Sequence, residues 1–526
     1  MKMARSLALS AVVAASAFAL SARAATFKWA NNGDTGSMDP YTRQEAVQLS
    51  FLGNIYEPLA RRDRTLGLEP ALALKWEQTS PTVWRFHWRR NVKWQDGSAF
   101  TAADVVFSLH RILAKSSMMR APLSVVKEVR EIDDFTVEFE TSAPDPIFPQ
   151  EQANFMIMSK AWCEKNNAVE PVIIGGKDDN FAVRDAMGTG PFRQVSREPD
   201  SKTIVEKNPG WWDKPEHNLD RVEFHVISSA ATRTAALLSG EMDMIYDVPP
   251  RDMARIGKTP GLKLIQSPEL RTIYLGLGML RDELPTSDVK GKNPFRDQRV
   301  REAFALAIDE QAIVQRVMGG LGHPTWMLWG PGVNGYDAAL DVRPKPDPAK
   351  ARQLLAAAGY PNGFSIGFDC PNDRYVMDEQ ICTAITSMLA RIGIKAALSA
   401  QPKAQYFAKI FPPKYDTDFF LLGWTPATYD AHNALYTLIA SRGSGRGELN
   451  VEGYGNPEMD TLIDKIGIET DQAKRNVMIS GAAKILQRDL PVIPLHQQVI
   501  VWAAKQKIDL AQLGDNYFPY RYVKVK

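Results

Sequence analysis

Between Val83 and Leu113 the spacing of apolar residues switches from two to about 3.6, and this switch constrains the fold more than any other feature. Trp84, Phe86 and Trp88 fall on one face of an extended segment, with Arg85, His87 and Arg89 on the other. Asp96-Gly97 marks a turn. Thr101-Ala-Ala-Asp104 then reads as a capping box, its acid at the positive end of a helix. That helix carries Val105, Val106, Leu109, Ile112 and Leu113 inward.

The same alternation recurs along the chain. Strands are expected at Thr136 to Glu140, Val222 to Val226, Met242 to Val248, Ile366 to Phe368, Ile394 to Leu398 and Asp418 to Trp424. A hairpin is expected after Gly188-Thr-Gly-Pro-Phe192, broken at Glu198-Pro199-Asp200. Helices are expected to end at Gly240 and Gly359, to start at Asn293-Pro294, and to run from Met377 to Ile392. Strand-helix-strand order predicts an α/β fold of largely parallel sheets covered by helices, and two such lobes leave a cleft suited to a ligand.

The N-terminus reads as an export signal. Lys2 and Arg5 precede the apolar run Leu7 to Leu20, and Ala22-Arg23-Ala24 offers a small-residue cleavage site, so 1–24 is expected to be removed. No other apolar run approaches the roughly 20 residues of a membrane span. The chain has 526 residues, more than one core usually supports. Its formal charge of +2 falls to −1 once Lys2, Arg5 and Arg23 are cut away. Such a balance gives no general attraction to nucleic acid or anionic lipid. Cys163, Cys370 and Cys382 form no metal cluster. Buried, reduced thiols are the favoured reading, with a Cys370–Cys382 pair as the alternative.

No catalytic constellation emerges. The chain lacks His-Glu-x-x-His, Gly-x-Ser-x-Gly and a complete phosphate-binding loop, and Gly443-Ser-Gly-Arg-Gly447 precedes no clear helix. Neither an enzyme nor a cofactor or metal site is expected. The one hint of an exported hydrolase, the paired acids Asp133-Asp134, sits in a turn where solvation explains it.

The segment from Val83 to Phe107 resembles the signature of the family 5 extracellular solute-binding proteins, the dipeptide-, oligopeptide- and nickel-binding components of ATP-binding-cassette importers. Colinear landmarks strengthen the resemblance: Gly188-Thr-Gly-Pro-Phe192, Asn208-Pro-Gly-Trp-Trp212, Ala235 to Asp243, Arg299 to Asp309 and Ala351 to Gly359. It implies a type II periplasmic binding protein with two α/β lobes around a cleft and a third, extra lobe. Lobe I would hold residues 25–56, 188–272 and 495–526, lobe II residues 57–187, and lobe III residues 273–494. A monomer would capture a small peptide or peptide-like solute in the periplasm and deliver it to membrane permease subunits. Metal chelates and amino-acid conjugates are the alternative ligands.

In peptide-binding members, an Asp soon after a Trp at the end of a lobe III strand holds the ligand ammonium. The matching stretch here is Gly423 to Asn433, where Ala427 stands in place of that Asp and Asp430 follows three residues later. The resemblance therefore points to Asp430 for an ammonium and to Arg374 for a carboxylate, unless Arg374 pairs with Asp373 or Asp378. Trp424 is expected to form a pocket wall, with Tyr429 and Tyr41 as weaker candidates and core packing as the alternative. His432 is a minor candidate, and Trp211 and Trp212 read as packing residues. On this reading Asp430→Ala and Trp424→Ala weaken binding and leave the fold intact.

Overall fold

The computed structural model describes residues 25–43, 45–120, 123–174, 180–246, 248–443 and 446–526, apart from the side chain of Ala404. The expected export signal at 1–24 lies outside them, as do Ser444 and Gly445 of the glycine-rich loop.

The strand and helix read from Val83 onward form at Val83–Trp88 and Ala102–Leu113. The capping box is present in both directions, Thr101 to the helix and Asp104 back to the Thr101 backbone. Val105, Leu109 and Ile112 are buried. This strand belongs to a four-stranded antiparallel sheet ordered 73–80, 83–88, 136–141, 126–133, all within the stretch expected as lobe II. Asp133 caps the turn between the last two strands, accepting the Phe135 backbone N–H at 2.8 Å.

Among the described residues, eleven strands form a second sheet that runs through both remaining lobes. On one side Thr26–Asn31 pairs in parallel with Arg221–Val226 and Met244–Tyr246. On the other, Ser365–Pro371 pairs in parallel with Lys395–Gln401 and Phe419–Trp424. The expectation of largely parallel sheets needs correction, because the four-stranded sheet, the 192–207 hairpin edge and the join are all antiparallel. Two long antiparallel strands, Leu262–Leu277 and Val492–Lys505, cross from one lobe to the other. Their pairing shifts register between Pro268 and Thr272, where Pro268 marks the irregularity. Residues 269–271 are thereby released from the ladder at the crossing.

Cores do not stop at the lobe boundaries drawn from sequence. Phe27, Phe51, Tyr56, Phe86 and Phe139 belong to one buried cluster that passes through the 56/57 boundary. The Gly188-Thr-Gly-Pro-Phe192 motif explains part of this join. The Gly190 N–H donates to the Ile55 carbonyl at 2.8 Å and the Phe192 N–H to Asn54 at 3.0 Å. A Cβ on Gly188 would lie 1.9 Å from the Ile55 oxygen, so no side chain fits there.

Cys370 and Cys382 are joined in a disulfide, with Cα atoms 6.6 Å apart. The favoured reading of reduced thiols therefore holds for Cys163 alone, which is buried and free. The bridge links the end of strand Ser365–Pro371 to helix Asp378–Ala390. No helix among the described residues is long and apolar enough to cross a membrane.

Candidate functional site

A cavity of about 830 Å3 opens where the two crossing strands meet the loops of all three lobes. That volume lies within the range of small-molecule clefts. Its floor comes from the crossing itself: Glu269 and Arg271 from the register break, and Gln498 to Val501 from the partner strand. Gln498 Nε2 donates to Glu269 Oε2, and the other Glu269 oxygen lies 3.3 Å from the Arg271 guanidinium.

The loop 372–377 supplies one wall. Asp378, in the first turn of its helix, accepts the backbone N–H groups of Arg374 and Tyr375, both at 2.9 Å. Asp373 accepts the Lys403 N–H at 2.6 Å. Both acids are thus spent on backbone, and among the described residues no carboxylate lies within 4 Å of the Arg374 guanidinium. The alternative of a surface ion pair with Asp373 or Asp378 is not what forms. Arg374 instead lies 5.1 Å from the Tyr375 ring, with Arg271 at 5.8 Å from the same ring. Burial, then Arg271, holds the Arg374 pKa below the usual guanidinium value. Tyr375 is fixed in turn, its hydroxyl accepting the Gly423 N–H at 3.0 Å.

Thr425 to Tyr429 form a further wall. Tyr429 sits at φ +57°, its hydroxyl donating to Asp515 at 2.7 Å and its ring lying 4.2 Å from the Arg62 guanidinium. Lobe II reaches the same wall through Asn154, whose amide lies 3.5 Å from the Ala427 carbonyl.

Three sequence candidates, Asp430, Trp424 and Tyr41, lie outside the cavity lining. Asp430 is fully buried, receiving both Nη groups of Arg475 at 2.6 and 2.8 Å and the Asn334 amide at 2.8 Å. Its charge is consumed by that fork and by capping the helix at Ala431. Trp424 is half-buried, packs against the lobe III core and donates its indole N–H to Asn433 at 3.0 Å. Tyr41 is buried under lobe II and donates to the Met156 carbonyl at 2.5 Å. His432 is half-buried, and desolvation pushes its pKa down to about 4. Trp211 and Trp212 both donate to Glu57, at 3.0 and 2.7 Å. Arg374, Tyr429 and Ala427 do line the cavity.

Sequence reasoning missed Glu151, Glu269, Arg271, Lys403 and Asp515. One signal was available: Pro268 within a strand-like run marks the irregularity that turns Glu269 and Arg271 toward the cleft.

Comparison with known proteins fits this geometry. The family profile for bacterial extracellular solute-binding proteins, family 5 (middle region) matches residues 67–446. A glutathione-binding protein GsiB from Pectobacterium atrosepticum is 26% identical over 482 residues, spanning 90% of this chain and 88% of that protein. Among solved structures, AgaA from A. tumefaciens R10 in complex with agropinic acid superposes with a TM-score of 0.74 at 25% identity, covering 95% of this chain and 99% of that one. A dipeptide-binding protein from Pseudoalteromonas sp. SM9913 in complex with Met-Leu gives 0.76 at 20% identity, covering 95% and 100%. With the profile matched over most of its length, the chain belongs to the bacterial extracellular solute-binding proteins, family 5.

Proposed function

We propose that this chain is the periplasmic capture subunit of an ATP-binding-cassette importer, taking up a peptide-like solute that carries a carboxylate. The observation that carries the reading is the pair of guanidinium groups, Arg374 and Arg271, flanking Tyr375 on a cavity of about 830 Å3. Arg374 has no carboxylate partner among the described residues, and a planar guanidinium offers two parallel N–H donors to one. The ligand carboxylate completes that pairing. The solute is bound without chemical change and handed to permease subunits by a monomer. Closure of the two lobes about the crossing strands encloses it. The glutathione- and dipeptide-binding relatives support a ligand of that size and polarity.

Thermal unfolding against di- to pentapeptides, reduced glutathione, amino-acid conjugates and metal chelates tests this. A ligand at 100 times its Kd adds about 2.7 kcal/mol of stability. Stabilisation by carboxylate-bearing peptides, lost on amidation of the carboxylate, is the expected result. Silence across the panel overturns the reading.

A further inference from the structure

Lobe III offers the cavity no free acid at the place where an ammonium would be met: position 427 is Ala, and Asp430 is locked to Arg475. Lobe II does offer one. Glu151 closes the short helix Phe148–Glu151 and lines the cavity, next to the Asn154 that reaches Ala427. Among the described residues no N–H or hydroxyl reaches its buried Oε2, and no Lys or Arg pairs with it. Its neighbour is another acid. Asp145 and, beyond it, Asp430 are the charged groups that act on Glu151, and both disfavour its ionised form.

The other cavity acids are already engaged. Glu269 faces Arg271 and Gln498, Asp373 holds the Lys403 N–H, and Asp515 accepts from Tyr429 and Tyr517. Glu45 accepts the Gln48 N–H. Glu151 differs from all four in having only an acid for company.

We infer that Glu151 is the cation-recognising residue of the cavity, its unpartnered carboxyl taking the ligand's ammonium or guanidinium. This deepens the reading above and rests on it. The charged groups facing the pair are Asp430 and, through it, Arg475. Asp430 and Arg475 cancel one another, so a fully ionised Glu151–Asp145 pair would leave surplus negative charge in a buried place. Burial and Asp145 accordingly raise the Glu151 pKa well above the usual carboxylate range, and burial pushes Asp145 up to about 6. A cation beside Glu151 removes the reason to keep the proton. The proton leaves to solvent as the ligand binds, and no other bond changes.

The test compares reduced glutathione and a defined tripeptide pool, each with its amine free or N-acetylated, by calorimetry on the full mature chain. For the wild type the free-amine forms bind about tenfold tighter than the acetylated ones. Their affinity also rises with pH, by about tenfold per pH unit over the range where one proton is released per ligand. Acetylated forms show no such rise. In Glu151→Gln the amide keeps the shape of the carboxyl, so the fold is retained, while the amine preference and the pH rise both disappear. Asp145→Asn keeps the preference and moves the rise to lower pH, because the like charge is gone. A Glu151→Gln protein that still prefers the free amine overturns the assignment and leaves the peptide-like reading standing. Equal wild-type affinity for free and acetylated forms does the same. No binding of either form overturns both readings together.

Discussion

Arg475 and Arg374 lie in the same lobe and have opposite surroundings. Arg475 is buried on helix Gln472–Asp489 with both Nη groups on the Asp430 carboxylate and its Nε on the Ile466 carbonyl. Arg374 sits on a cavity wall with an aromatic ring beside it and, among the described residues, no carboxylate within 4 Å. The first guanidinium completes its pairing within the chain and the second does not. A buried charge that is already compensated belongs to the fold. One held at a cavity edge without a paired carboxylate is what the proposed ligand contact calls for.

The largest effect that could break this contrast comes from the buried pair. Asp430→Ala leaves Arg475 buried without its anion, which costs about 3–5 kcal/mol in denaturant unfolding. This reverses the sequence-based expectation of a folded protein with weakened binding. A variant as stable as the wild type would mean that Arg475 finds water or another acid. Removing the Cys370–Cys382 bridge by a double Ser substitution costs less, about 2–3 kcal/mol for so short a ring. Its second effect is more telling, because the bridge brackets the loop that carries Arg374. Affinity for the carboxylate ligand should fall along with stability, and unchanged affinity would show the loop to be held by Asp378 alone.

Arg374→Ala then tests the other side of the contrast. Stability should stay within about 0.5 kcal/mol, while loss of a charge-assisted hydrogen bond of about 1.5–3 kcal/mol weakens binding some 10- to 100-fold. Arg374→Lys should recover only part of that, since an ammonium cannot present the planar fork. Calorimetry and unfolding on the same samples separate the two outcomes. The smallest effect is expected from Tyr429→Phe, about 1 kcal/mol from the lost bond to Asp515. Burial holds the Asp515 pKa above the usual carboxylate value, and the tyrosine hydroxyl opposes that rise. The stability this group contributes is therefore present at low pH and lost as pH rises through its folded-state value. Without the hydroxyl that loss should extend to higher pH, and an unchanged stability–pH profile would place water in the gap.

The difference between the two arginines also marks what was legible in the sequence. The capping box at Thr101, the period-two strand before it and the helix ends at Gly240 and Gly359 are local events, readable within a few residues. The loop position of Arg374 was readable for a similar reason, since it lies between a strand and a helix. The fate of Asp430 was not, because its partner lies 45 residues away on a helix with no distinguishing pattern. The crossing strands pair residues separated by more than 200 positions, so their register break at Pro268 could only be guessed from a proline. Glu151 was hidden for the same reason, since nothing in Phe148-Pro-Gln-Glu151 announces that Asp145 will turn back to meet it.

The register break has a mechanical meaning as well. On the proposed closure the two crossing strands bend where their pairing breaks, and that break carries Glu269 and Arg271. Bending the joint and rotating those two charges are then a single displacement. Any ligand that pulls on Arg271 applies torque at the pivot itself, where a small local shift gives the widest swing at the lobe tips. The proposed closure is thereby levered from the inside.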